Sequence, residues 1–328
     1  MNLLLILFIV IALVFDFLNG FHDSANVVAT AIASRALPPR YALLIAALAD
    51  FTGPFIFGVA VATTIGEEVL ASQAVTIPVA MAALISAIMW NIFTWWFGIP
   101  SSSSHALIGG FVGAAITGFG FGVIRLGGLY KVLIGLFISP IIGLIFGWLM
   151  MKLALAIGRR TSPRINVFFR RSQWLTMIAL GLSHGSNDAQ KTMGVVTMGL
   201  LAFGAIKTFH VPSWVIIICA SSISLGMVMG GWRLIKTMGG KFYRIQPVHA
   251  FSSQFASTTV ILGSALLGAP VSTTQVISST ILGAGSAERI QKVRWRVAEQ
   301  IVLAWVFTIP ATGVLGALIY HLILPIIK

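Results

Sequence analysis

Apolar runs long enough to cross a bilayer recur from Leu3 to Ile327, separated by short turns and small basic clusters. Inside hydrocarbon every backbone N–H and C=O must find a partner within the protein, so runs of about 20 apolar residues fold as helices. Hydrophobic residues make up 58% of the 328 and charged ones 9%, against about 25% charged in ordinary soluble domains. The chain therefore reads as an all-α, polytopic membrane protein with no separate soluble domain. A formal charge of +13 raises nucleic acid as a partner, but the basic residues fall at span ends and form no continuous stripe, which disfavours it. The single cysteine, Cys219, lies in an apolar run; it permits no intrachain disulfide, disfavours a thiolate metal site and reads as packing. No Lys or Arg precedes the first apolar run and Asp16 interrupts it, so that run reads as a span and not as a cleaved signal peptide.

Two polar stretches break the apolar background. NGFHDSANVVAT, Asn19 to Thr30, sets His22, Asp23 and two asparagines between apolar runs, and SHGSNDAQKTMG, Ser183 to Gly194, repeats the pattern about 165 residues later. Aligning Gly20 with Gly185 also aligns Asp23 with Asp188. An Asp near the centre of a membrane helix costs roughly 2.5 to 3.5 kcal/mol on insertion scales, so two at matching places point to a polar site. The alternative for either alone is a half-helix cap. Gly20 and Gly185 are expected to break their helices there and free backbone groups for a ligand.

Basic residues cluster at Arg35 and Arg40, from Lys152 to Arg171, from Arg233 to Arg244 and from Arg289 to Arg296. Taken as cytoplasmic, these clusters set a path. A first crossing ends before Arg35, and spans follow at 41–63, 78–97, 100–123 and 132–151. Beyond a cytoplasmic basic linker at 152–172 come 174–206, 213–232, 248–268, 270–287 and 297–325. About five spans per half is an odd number, so 1–151 and 173–328 are expected as inverted-topology repeats, with both termini and Glu67 outside. Arg125 and Lys131 fit this path poorly, since it leaves both outside. Elements 100–123 and 270–287 are also candidates for re-entrant loops.

A second duplication supports the repeat. GIPSSSSHALIGG, Gly98 to Gly110, resembles GAPVSTTQVISST, Gly268 to Thr280, at an offset of about 170. In each, a proline begins a run of small hydroxyl residues followed by an apolar helix, so hydroxyls and unpaired N–H groups converge at a helix N-terminus. That arrangement suits an oxyanion. Ser102, Ser103 and Ser104 align with Ser272, Thr273 and Thr274, and His105 with Gln275. One such run alone is as readily a packing or capping element; the symmetry brings the four polar elements toward a pseudo-two-fold axis.

These four stretches resemble the paired motifs of the inorganic phosphate transporter (Pit) family, and the resemblance extends over nearly the whole chain, to LAWVFTIPA at Leu303 to Ala311. It implies a secondary transporter of inorganic phosphate in the plasma (inner) membrane, commonly a homodimer, with a midplane site between two broken helices and two hydroxyl-rich loops. Family members couple to sodium or protons, and some close relatives carry sulfate. Gln190 followed by Lys191 resembles the bacterial, proton-coupled members, in which phosphate can travel as a neutral metal-phosphate complex.

Phosphate needs donors, positive potential and a proton acceptor. Ser102, Ser103, Ser104, Ser272, Thr273 and Thr274 supply donors, and Gln190 and Lys191 are candidate phosphate contacts, with an ion pair to Asp the alternative role for Lys191. Asp23 and Asp188 would repel a bare phosphate. They are better cast, with Asn26 and Asn187 as neutral oxygen ligands, as a site for a coupling cation, H+ or Na+, or as proton carriers. His22, His184 and Asp50 are further proton candidates, each histidine serving equally well as a fixed hydrogen-bond donor. Asp50 stands where the family often carries an amide. No other cofactor is expected.

Other functions weigh against this reading. Ser103 or Ser104 beside His105 suggests a serine hydrolase, but the second half carries Gln275 where His105 stands, as suits symmetric binding and not one catalytic base. The chain is therefore not read as an enzyme. A sulfate or related oxyanion permease, or a passive anion channel, would use the same donors; counter-gradient uptake separates a channel from a symporter.

Overall fold

The computed structural model describes residues 3–159, 161–162 and 164–327. The first half comprises α1 (Leu3–Ala33), α2 (Pro39–Phe57), a short α3 (Ala60–Thr63) that widens into a π turn at Thr64–Glu68, α4 (Ile77–Phe97), α5 (Ser103–Phe119) and α6 (Leu126–Gly158). The second half repeats this order with α7 (Ile165–Ala202), α8 (Ser213–Met229), α9 (Trp232–Gly240), α10 (Pro247–Leu266), α11 (Thr273–Glu288) and α12 (Trp295–Ile327). Local chemistry repeats too. Gly98 and Gly268 turn the chain after α4 and α10 with φ of 65° and 66°, a conformation in which any Cβ is strained.

The halves interlock. α5 packs along α12 and α11 along α6, while α1 lies on α8 and α2 on α7. Buried apolar side chains form two large clusters with a polar band between them. In α1, Phe8 to Phe15 belong to one cluster and Ala25 to Ala31 to the other, with Asp16 to Ser24 in the band. α7 crosses the same two clusters in the opposite order: Met177 and Leu180 lie in the second, Ala189 to Leu200 in the first, with Ser183 to Asp188 between.

Among the described residues, five helices can cross a membrane by length and apolarity, namely α1, α2, α4, α6 and α12, and the α8–α9 pair, bent by 70°, brings a sixth. α7 and α10 fall short because they carry buried polar side chains such as His184, Lys191, Ser253 and Gln254, which face the bundle and not lipid. α5 and α11 are short, at 17 and 16 residues.

The expected helix breaks at Gly20 and Gly185 are not present, because α1 and α7 run unbroken through both. The glycines serve packing instead. A Cβ at Gly20 would overlap the Ile223 carbonyl of α8, and one at Gly185 the Asp50 carbonyl of α2. In an open helix Gly→Ala stabilises by up to about 1 kcal/mol; here overpacking should reverse the sign and cost about 1 to 3 kcal/mol. Gly185→Ala is therefore expected to lower the melting temperature in detergent, whereas Gly122→Ala, with nothing within 4 Å, is not. A raised melting temperature for Gly185→Ala would refute close packing.

The basic linker at 152–172 is shorter than expected, since α6 continues to Gly158 and α7 begins at Ile165. Arg160 and Pro163 of that linker, like Met1, Asn2 and Lys328, lie outside the described residues. Arg125 and Lys131 have local partners: Arg125 donates to the Glu67 carbonyl at 2.9 Å, and the Lys131 ammonium lies 3.0 Å from the Glu68 carboxylate.

Candidate functional site

The polar band is where the two hydroxyl-rich helix starts meet α1 and α7. Ser102 and Ser272 cap α5 and α11, their hydroxyls accepting from the backbone N–H of His105 at 3.2 Å and Gln275 at 3.3 Å. The capping serines are thus committed to their helices. His105 Nε2 lies 3.3 Å from Gln275 Nε2, so the aligned residues touch across the two helix starts. The loop leading into α5 is anchored by its neighbours: the Trp305 indole donates to the Pro100 carbonyl at 3.1 Å, and the Ser101 hydroxyl to Thr94 Oγ1 at 2.9 Å.

The next hydroxyls along point to the carboxylates. Thr273 Oγ1 donates to Asp188 Oδ2 at 2.6 Å and lies 3.3 Å from Asp23 Oδ2, while Thr274 Oγ1 donates to Asp23 Oδ1 at 3.0 Å and accepts from Asn26 Nδ2 at 2.9 Å. His184 joins the two acids to a third, with Nδ1 2.6 Å from Asp50 Oδ1 and Nε2 3.0 Å from Asp188 Oδ2 and 3.7 Å from Asp23 Oδ2. His22 Nδ1 lies 3.0 Å from Asp23 Oδ1. Lys191 pairs with Asp188, and its ammonium donates to Ser104 Oγ at 2.6 Å and to the Val271 carbonyl at 2.8 Å. The Ser103 hydroxyl, 4% exposed as a residue, is buried without a partner.

Gln190 and Asn187 have backbone partners. Gln190 does not reach this cluster through its amide: Oε1 accepts from the Val61 N–H at 2.7 Å, and Nε2 donates to the Gly58 and Ser186 carbonyls, which holds the break between α2 and α3. Asn187 borders the second hydroxyl loop, with Oδ1 accepting from the Val271 N–H and Nδ2 donating to the Ala269 carbonyl, both at 3.4 Å.

Asp16 carries more than its sequence context suggested. It is fully buried, accepts from Thr192 Oγ1 at 2.7 Å through Oδ1, and leaves Oδ2 unpartnered. The signal for it was helical spacing, since Asp16, Asn19, Asp23, Asn26 and Thr30 recur at steps of three and four and are all buried on α1. Among the described residues, Asp16, Asp23, Asp50 and Asp188 thus share the interior with one lysine, Lys191. Such an excess of buried carboxylates demands protons or cations as companions.

Asp23, His184 and Asp188 could hold an ion directly, their candidate ligand atoms lying within 4.8 Å of one another. Asp50 would orient the His184 ring from behind. The Thr273 and Thr274 hydroxyls add neutral oxygens beside the same carboxylates. This donor set fits a small cation or a proton shared among carboxylates and imidazole.

The sequence pattern described as "Phosphate transporter family" matches residues 19–316. Proteins described as "Probable low-affinity inorganic phosphate transporter" include one from Bacillus subtilis, 41% identical over 98% of this chain and 97% of its own length, and one from Rhizobium meliloti, 43% identical over 97% and 96%. A solved structure described as "The sodium-dependent phosphate transporter" superposes with a TM-score of 0.88 at 22% identity, covering 98% of this chain and 99% of its own, which is a likeness of fold.

Proposed function

This chain belongs to the phosphate transporter family, and from that premise we propose that it imports inorganic phosphate by cation symport, through alternating access around the polar band. Phosphate sits among the Ser103, Ser104, Thr273 and Thr274 hydroxyls and the amides at the starts of α5 and α11, with Lys191 supplying positive charge. The coupling cation belongs to Asp23, Asp188 and His184, with Asn26 behind Thr274 and Asp50 behind His184; His22 is a further proton carrier.

The observation that carries the reading is the juxtaposition of hydroxyl-bearing helix starts with an excess of carboxylates, bridged by Thr273 and Thr274. An anion placed there is tolerable only when a cation or proton accompanies it, which is the physical basis of symport. Proton coupling is favoured over sodium because Lys191 already places a cation among three oxygens, those of Asp188, Ser104 and Val271. Substrate arriving as a metal-phosphate complex would use the same carboxylates.

The two halves, 1–151 and 173–328, act as inverted repeats in a homodimer of the plasma membrane. The opposite order in which α1 and α7 cross the two apolar clusters supports inversion. Single cysteines in a Cys219-free background test it: an impermeant thiol reagent applied to intact cells should label position 67 and not position 161. Labelling at 161 from outside would sink the inverted arrangement.

Transport is tested with purified protein in liposomes under imposed proton or sodium gradients, offering phosphate, arsenate or sulfate. Accumulation of phosphate driven by an inward proton gradient is expected. Phosphate that only equilibrates down its own gradient would make the protein a passive anion channel, and a preference for sulfate would make it a different oxyanion permease.

A further inference from the structure

A groove of about 780 Å³ opens on the apolar outer surface between α6, α11 and α12. α6 packs along α11 and α12 along α5, so the groove lies at the seam between two helix pairs. Each wall is a helical stripe. Phe137, Ile141 and Leu144 of α6 recur at steps of four and three and are all exposed, and on α11 Ser279 and Leu282 continue the same steps from Gln275. At one end the Phe137 ring stands edge-on to the His105 ring, with 5.6 Å between centroids, and Gln275 lies beside His105 across the two helix starts.

The α12 wall is graded along its length. Arg296 and Glu299, both exposed, line its first turns, whereas Val302, Leu303 and Val306 on the same stripe are exposed and apolar. Trp295, exposed beside them with its indole donating to the Ile290 carbonyl at 3.0 Å, is an aromatic of the kind that marks the membrane–water level. The stretch from Arg296 to Val306 rises about 15 Å, half of a hydrocarbon core of about 30 Å. The groove therefore matches one leaflet, with its charges at headgroup level and its inner end at the polar band. A spanning helix of a second copy needs a seat of the full thickness; a lipid chain needs only this half. Among the described residues, neither the Arg296 nor the Glu299 side chain has a hydrogen-bond or ion-pair partner. One cation and one anion, a turn apart and unpaired, complement a zwitterionic head in which a phosphate meets the guanidinium and an ammonium the carboxylate.

We propose that this groove binds one phosphatidylethanolamine molecule, its phosphate on Arg296, its primary ammonium on Glu299 and an acyl chain along Val302, Leu303 and Val306 as far as Phe137. An anionic phospholipid would set its charge against Glu299, and phosphatidylcholine, whose quaternary ammonium carries no N–H, would leave Glu299 without a hydrogen bond. The neighbouring Lys292 does not line the groove and is paired with Glu288 at 2.7 Å. A chain so seated covers the seam beside the starts of α5 and α11. The site stands independently of the cation-symport reading.

Native mass spectrometry of the full chain in detergent, offered equal amounts of phosphatidylethanolamine, phosphatidylglycerol and phosphatidylcholine, tests the assignment. The wild-type protein should retain one phosphatidylethanolamine several-fold over the other two. Glu299→Gln should remove that preference, so that phosphatidylglycerol is held at least as well, and Arg296→Gln should lower retention of all three. Leu303→Trp, which fills the groove, should displace the chain; if that variant fails to fold, the two charge variants, both at exposed positions, keep the test decisive. Equal retention of the three lipids by the wild type would reduce the groove to ordinary bilayer contact, and an undiminished preference in Glu299→Gln would remove the carboxylate from the site. A wild-type preference for phosphatidylglycerol would overturn the zwitterionic assignment in favour of an anionic lipid on the basic cluster. A wild-type dimer that Leu303→Trp splits, with lipid retention unchanged, would make the groove a contact between two copies.

Discussion

Replacement of Asp23 by Asn is expected to abolish concentrative phosphate uptake while the protein still inserts and folds. Asp23 accepts from Thr274 and lies beside His22 and His184; among the described residues no lysine or arginine pairs with it, and its neutralisation leaves His184 the closer carboxylates of Asp50 and Asp188. Its loss removes a charged ligand whose hydrogen bonds are each worth about 1.5 to 3 kcal/mol, or about 10- to 150-fold in cation affinity. Asp188 is different. Asn at that position leaves the Lys191 ammonium buried beside Ser104 and Val271, and stranding a buried charge costs about 3 to 5 kcal/mol. Asp188→Asn should therefore lower the melting temperature as well as stop uptake, and Asp188→Asn/Lys191→Met should recover stability without recovering transport. Full accumulation by Asp23→Asn, or recovery of both stability and uptake in the double variant, would reduce the two carboxylates to structural groups.

The paired polar motifs were legible because each departs from its apolar surroundings and recurs at nearly constant offset. Gly98 with Gly268, and the prolines two residues on, carry their geometry in their chemistry, and the structure has both turns. Gly20 and Gly185 were ambiguous. A glycine in a membrane helix permits either a break or a close approach, and only the carbonyls of Ile223 and Asp50, distant in sequence, decide for approach. The spans expected at 174–206 and 248–268 correspond to α7 and α10, although apolarity alone singles out neither, because their polar side chains face the bundle.

Within the site, Asp23, Asp188 and Lys191 were readable as intramembrane ionisable residues, whereas their pairings were not. Gln190 looked like a substrate contact beside Lys191, yet one helical step of about 100° separates their side chains, and the Gln190 amide faces the backbone of the α2–α3 break. Ser102 and Ser272 looked equivalent to their neighbours until helix starts assigned them as caps.

Ser103 and Thr273 are aligned in sequence, and the structure gives them different expected results. The Ser103 hydroxyl has no partner among the described residues, so it is available to an anion oxygen without first breaking another bond. Ser103→Ala should weaken phosphate binding, measured in detergent at saturating cation, by about 1 to 3 kcal/mol, or about 5- to 150-fold. Its cation dependence should remain that of the wild type. Thr273 instead donates to Asp188 and lies near Asp23, so its hydroxyl joins the anion side of the band to the carboxylate side. Thr273→Ala should shift both affinities, with Thr273→Ser restoring them because the oxygen, not the methyl group, makes the contact. If Ser103→Ala binds phosphate as tightly as the wild type while remaining folded, the start of α5 is a packing element and the anion lies elsewhere in the band. If Thr273→Ala changes phosphate affinity alone, the hydroxyl does not link the two ligands, and coupling must pass through Lys191 and its pair with Asp188.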